Sequence, residues 1–126
     1  MVGNADSQAT IAVKNLAAAT GFYGGVLGLA VERENPYEVV YKSGNTRLSI
    51  YVSESAGTNA ATYATWEVKD IEAEIEGLQA KGVVFEQYEL PGVTRQGVVH
   101  VLGDKEKAAW FKDPDGNILC LHTTLA

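Results

Sequence analysis

A chain of 126 residues suits one compact domain, and a domain of that size buries roughly two thirds of the surface its unfolded form exposes. With 46% hydrophobic and 21% charged residues it is not a disordered chain, and a formal charge of -6 leaves no basic stripe for neutralising phosphates, which excludes nucleic acid and anionic membranes as partners. The lone cysteine cannot close an internal disulfide, no apolar run approaches the ~20 residues that span a bilayer, and the first residues show no leader pattern, so a cytoplasmic location is expected.

The first strand-like run leads into Val13-Lys14-Asn15-Leu16, where Asn15 can cap a helix with apolar positions at Leu16, Ala19, Tyr23, Val26 and Leu27 and a stop at Gly28. Gly21, Gly24 and Gly25 weaken that helix and read as helix packing or a kink. Strands are expected at residues 30–34, 38–41 and 47–52, with Ser43-Gly44-Asn45 as a turn, and residues 54–61 read as a linker. Trp66-Glu67-Val68-Lys69-Asp70-Ile71 then echoes Ile11-Ala12-Val13-Lys14-Asn15-Leu16. Asp70 can cap a second helix, with Ile71, Ile75 and Leu78 on one face and Lys81-Gly82 at its end. Further strands are expected at 83–89, 97–102, 108–112 and 117–123. The order is strand, helix, three strands, then the same again: module one over about 8–53 and module two over about 62–123.

Trp110-Phe111-Lys112-Asp113-Pro114-Asp115-Gly116-Asn117-Ile118-Leu119 places turn chemistry between two strand-like runs. This hairpin, with Phe22-Tyr23 ahead of Val26-Leu27-Gly28-Leu29, resembles the vicinal oxygen chelate superfamily of glyoxalases, bleomycin-resistance proteins and ring-cleaving dioxygenases. The resemblance covers about residues 8–123. It implies an α+β fold of two βαβββ modules, with curved sheets around a cup and helices outside, and it implies a homodimer.

Enzymes of that superfamily commonly hold a divalent ion through a His on the first strand and a Glu on the last strand of each module. The resemblance places Gln8 and Tyr63 at the two His positions, and Ser49 and Cys120 at the two Glu positions. Of these only a Cys thiolate is a strong ligand, because a Tyr phenol with a reference pKa of about 10 stays largely protonated and Gln and Ser bind weakly. No metal and no cofactor are therefore expected. A relocated site is the other reading: Cys120 and His122 share a sheet face, as Glu67 does with Tyr63. The bland reading keeps Cys120 as a small buried residue and His122 as a surface residue near the chain's end.

Alternation turns Leu48, Ile50, Val52, Ala64, Trp66, Val68, Leu119 and Leu121 toward the helices. The opposite face then carries Gln8, Thr10, Ala12, Arg47, Ser49, Tyr51, Tyr63, Thr65, Glu67, Ile118, Cys120 and His122, a mixture that suits an organic ligand. Arg47 and Glu67 either pair with one another or meet a ligand's charge, and Tyr51 and Tyr63 either stack on a ring or simply fill a sheet. Residues 88–97, with Pro91-Gly92 and Arg95, form a candidate flap or an ordinary excursion at the sheet edge. His100 is either a general base or a structural hydrogen-bonding residue, and Trp110 either floors the cup or anchors the hairpin. The expected function is metal-independent binding of a small organic ligand through Gln8, Arg47, Ser49, Tyr51, Tyr63, Glu67, Arg95 and Cys120. The alternative is a lyase, isomerase or dioxygenase with a non-standard site, for which Glu67, His100 and His122 are the catalytic candidates.

Overall fold

The computed structural model describes residues 1–103 and 106–124. Its chain divides into two units: Met1–Asn59 with Pro114–Asn117, and Ala60–Asp113 with the chain from Ile118 onward.

In the first unit, β1 (Ala9–Val13), α1 (Leu16–Thr20), β2 (Ala30–Asn35), β3 (Glu38–Ser43) and β4 (Thr46–Val52) build a sheet of order β1-β4-β3-β2. β1 runs parallel to β4, and the other pairs are antiparallel. One face of this sheet buries Ile11, Val13, Val39, Tyr41, Leu48 and Ile50 together with Ala19 and Tyr23 of the helical segment. Asn15 caps α1 by accepting the Ala18 N–H at 3.1 Å. The expected single helix to Gly28 is corrected: after Thr20 the backbone widens into a π-helical segment, Gly21–Val26, in which Leu27 N–H donates to Phe22 O at 2.9 Å. Three glycines loosen the α-helical preference here, and the wider turn still leaves Tyr23 fully buried.

The second unit repeats the plan. β5 (Thr62–Glu67), α2 (Ile71–Ala80), β6 (Val93–Gln96), β7 (Val99–Leu102), β8 (Glu106–Lys112) and β9 (Ile118–Thr124) form a sheet of order β5-β9-β8-β7-β6. Asp70 caps α2 through the Ala73 N–H, and Ile71 and Ile75 are buried on the side that packs against β8 and β9. Phe85 and Phe111 pack in the same core at 5.3 Å between ring centroids. The repeat seen in the sequence is also a repeat of register. Thr10 pairs with Ser49 as Thr65 pairs with Cys120, and Ala12 pairs with Tyr51 as Glu67 pairs with His122.

One expectation fails in this unit. Residues 83–89 make no strand: Phe85 forms a single bridge to Phe111, and Glu86 N–H donates to Trp110 O at 2.8 Å. The edge position beside β7 is taken instead by Val93–Gln96, from the stretch read as either a flap or an excursion at the sheet edge. Gly92 at φ 76° and Gly97 at φ 65° make this possible by reversing the chain at either end of the short strand. No described helix is long and apolar enough to cross a membrane.

Candidate functional site

Each sheet has a face turned away from its helix, and these open faces carry the polar and aromatic side chains. In the first unit Thr10, Ser49 and Val40 lie abreast, and Ala12, Tyr51 and Glu38 form the next row. Ser49 is 1% exposed, and its hydroxyl donates to Glu38 Oε2 at 2.8 Å. Tyr51, at 39% exposure, is open to solvent. Gln8, just ahead of β1, meets Arg47 in a polar cleft of about 370 Å³ that also involves Asp6, Asn45 and Thr46. Arg47 is ion-paired with Glu32, and this bond holds the Glu32 carboxyl below its ordinary value. Of the two residues read as either pairing with one another or meeting a ligand's charge, Arg47 bonds Glu32 and Glu67 bonds His122, each within its own sheet.

In the second unit Thr65, Cys120 and Trp110 lie abreast, followed by Glu67, His122 and Ala108. Glu67 Oε2 lies 2.6 Å from His122 Nδ1, while Glu67 Oε1 accepts the Thr124 N–H at 2.9 Å. His122 Nε2 is 3.5 Å from Glu106 Oε2. Glu67 first, with Glu106 adding, raises the His122 pKa against its partial burial, and the Glu67 carboxyl is lowered in turn. His122 is thus an anchored ion-pair residue rather than a loose surface side chain. A β-bulge between Thr62 and Ala64 breaks the alternation that would align Tyr63 with Thr65 and Glu67. Thr62 comes into register with Ile118 instead, and its hydroxyl accepts the Trp110 Nε1–H at 3.1 Å.

His100 falls on this open face, across from Arg95 on one side and Ala108 on the other, and it is fully buried. Its Nε2 accepts the Tyr88 N–H at 2.9 Å, so Nδ1 carries the proton and donates to Val98 O at 3.0 Å. With both nitrogens engaged the ring holds the backbone at Tyr88 and has no free lone pair for abstracting a proton. Arg95 stands on β6 and bonds Gln87, Gly97 and Glu89. Sequence reasoning missed the parts played by Glu38, Thr62, Tyr88 and Glu106. For Glu38 the only trace was its alternation with Val40 and Lys42, which acquires meaning once β3 is in register with β4.

Two mixed sheets, each with a helix packed on one face and polar and aromatic groups on the other, define a glyoxalase-like α+β protein. The family model described as Glyoxalase/Bleomycin resistance protein/Dioxygenase superfamily matches residues 7–121, and the chain belongs to that superfamily. Among solved structures it is similar to a glyoxalase family protein from Enterococcus faecalis, at 24% identity and TM-score 0.73 over 97% of this chain and 99% of that one. It is also similar to a bleomycin resistance determinant encoded on the transposon Tn5, at 14% identity and TM-score 0.72 over 98% and 100% of the two chains. A third is TnmS3, an antibiotic binding protein from Streptomyces sp. CB03234, at 17% identity and TM-score 0.67 over 96% and 98%. No curated protein sequence matches the chain.

The residues at the superfamily's metal positions do not fit a divalent ion. Ser49 already donates to a carboxylate, Gln8 is exposed, and Tyr63 is displaced by the bulge. Burial pushes the Cys120 thiol up to about 11, and its Sγ lies 3.3 Å from Leu121 O. In the relocated set of Glu67, Cys120 and His122, burial raises the thiol to about 11 and Glu67 raises the imidazole, so a metal there would have to displace both protons. Among the described residues no group of three or more His, Cys, Asp or Glu is placed to hold a metal ion.

Proposed function

We propose that the protein binds a small organic molecule on the open faces of its sheets, without a metal, and acts as a cytoplasmic homodimer. The observation that carries this reading is the chemistry of those faces. Where superfamily enzymes present His and Glu, the first unit presents a hydrogen-bonded serine and a polar cleft, and the second unit presents a protonated thiol and a set of aromatic rings. Polar groups and aromatic rings are what orient and hold small organic ligands, and two proteins that share the fold bear the names of a bleomycin resistance determinant and an antibiotic binding protein. The test is protein purified without chelator, assayed for bound metal and for thermal stability with divalent ions, with EDTA and with a small-molecule library. Substoichiometric metal and no EDTA shift are expected, together with library compounds that raise the melting temperature. A ligand at 100 times its dissociation constant adds about 2.7 kcal/mol. Near-stoichiometric metal with a clear EDTA shift would overturn the reading.

A second reading, acid–base catalysis, rests on the Glu67–His122 pair. A carboxylate on Nδ1 orients the imidazole and leaves Nε2 as the working atom. Its opponent is Glu106, which competes for that atom.

A further inference from the structure

Three rings meet on the open face of the second sheet. Trp110 and His100 pack edge to face, with centroids 4.8 Å apart and planes at 84°. Tyr88 lies 5.5 Å from Trp110 and 5.9 Å from His100. The ring nitrogens of His100 and Trp110 are all engaged, so neither ring can turn without losing a hydrogen bond. Two polar atoms beside them are not engaged. Tyr88 Oη is buried without a hydrogen-bond partner, and so is Arg95 Nε, although the terminal nitrogens of Arg95 bond Gln87, Glu89 and Gly97. Both residues adjoin His100: Tyr88 through its N–H, Arg95 as the cross-strand neighbour.

Buried donors without acceptors are rare in folded proteins and call for an explanation. Arg95 Nε only donates and the Tyr88 hydroxyl can donate or accept, so one kind of partner, an acceptor, satisfies either. Water could supply one, but water does not account for a fixed indole with two further rings set against it. We infer that this cluster is the subsite for a planar aromatic ligand bearing a carbonyl oxygen, its ring against Trp110 and its oxygen accepting the Tyr88 O–H. A neutral carbonyl suits the site better than a carboxylate. Arg95 is already paired with Glu89 at 2.7 Å, and the chain's formal charge of -6 disfavours an anion. Tyr88 keeps its proton well into alkaline solution, because burial first and Glu86 second raise its pKa.

The inference rests on the reading of the protein as a small-molecule binder, and its test separates the two. Three probes share one ring system: 2-acetylnaphthalene, 2-ethylnaphthalene without the oxygen, and 2-naphthoate with a charged one. Binding is followed by tryptophan fluorescence in a Trp66→Phe background, which leaves Trp110 as the only reporter, and by thermal shift in the unmodified chain. The ketone is expected to quench Trp110 and to bind about tenfold more tightly than the ethyl compound, the ratio for one hydrogen bond of ordinary strength. Tyr88→Phe is expected to abolish that ratio while leaving the melting temperature unchanged or higher, since it removes only an unpartnered hydroxyl. Equal binding of ketone and hydrocarbon, tighter binding of the carboxylate, a ratio untouched by Tyr88→Phe, or no binding of any probe would each overturn the inference. Failure of these probes leaves the broader reading standing, which falls instead if the whole library fails to bind or if near-stoichiometric metal is found.

Discussion

Glu67 and His122 hold each other in opposite charge states, and their consequences for stability run in opposite directions along the pH axis. The His122 pKa lies above the ordinary 6.5, so its contribution is fully present below 6.5 and is lost as pH rises through the folded value. The Glu67 pKa lies below the ordinary 4.5, so its contribution is present above 4.5 and is lost as pH falls through the folded value. The pair is therefore complete between those two limits. Glu67 is the first cause of the His122 shift, and Glu106 is a later one. Glu67→Gln should accordingly bring the His122 midpoint down toward 6.5, and Glu106→Gln should move it less; proton NMR of the imidazole Cε1–H reads both. An unchanged midpoint in Glu67→Gln would dismiss the pair and with it the acid–base reading. Alternation along β5 and β9 already put these two residues on open faces. The relocated-site reading already grouped Glu67 with His122 on condition that the two strands pair, and what stayed illegible was the direct bond, which depends on their parallel register.

The hairpin from Trp110 to Leu119 owes its distinctive sequence to what its tip does. Pro114–Asn117 belongs to the first unit, where β1 is an edge strand with one side open. Asn117 is fully buried; its Nδ2 donates to Ala12 O at 2.7 Å, and its Oδ1 accepts the Gly57 N–H at 3.1 Å. Asp115 Oδ2 accepts the Lys14 N–H at 3.1 Å. Two side chains of the turn thus satisfy backbone groups at the end of that edge strand, as a neighbouring strand would. Gly57 completes the arrangement: it sits at φ 71°, and a Cβ there would fall onto the carbonyl oxygen of Asp115. Asn117→Ala should cost about 2–3 kcal/mol, since it strands a buried donor and a buried acceptor. Gly57→Ala should cost on the order of 3 kcal/mol through strain and steric conflict together. Urea midpoints with unchanged slopes would record both losses, and a change below about 0.5 kcal/mol in either would dissociate the motif from this role. The turn itself was legible, because Pro, Gly and Asn are the residues that turns require. Its partners were not, because Gly57 lies in a stretch whose composition reads only as linker. The edge strand β6 was hidden for a related reason: Val93–Gln96 has weak alternation, whereas residues 83–89 look more like a strand and find only one bridge.

Across the whole molecule, the fold was legible from the repeated order of elements and from faces that alternate cleanly, since burial of one face is what sets strand register. The chemistry of the open faces was legible as residue types but not as protonation states, because those depend on burial and on partners across strands. Protonation states in turn set the limits of stability for the chain. On the acid side, Glu32, Glu67 and Glu72 are held below 4.5, chiefly by Arg47, His122 and Lys107 respectively, so their contributions are present above 4.5 and fade as pH falls below it. On the alkaline side, burial raises Cys120 from 9.0 to about 11 and raises Tyr41 and Tyr88 above 10.0. A raised acid binds more protons in the folded state, so stability declines once pH passes the unfolded value, first at 9.0 for the thiol and then at 10.0 for the phenols. The melting temperature should therefore bend down below 4.5, decline above 6.5 as the His122 contribution is lost, and fall again above 9.0. Cys120→Ala should delay the alkaline bend toward 10.0, and the thiolate absorbance of the native chain should rise only near about 11. A thiolate already formed at pH 8 would mean that Cys120 is an ionised, ligand-competent sulfur, and the metal-free assignment of the open face would have to be abandoned.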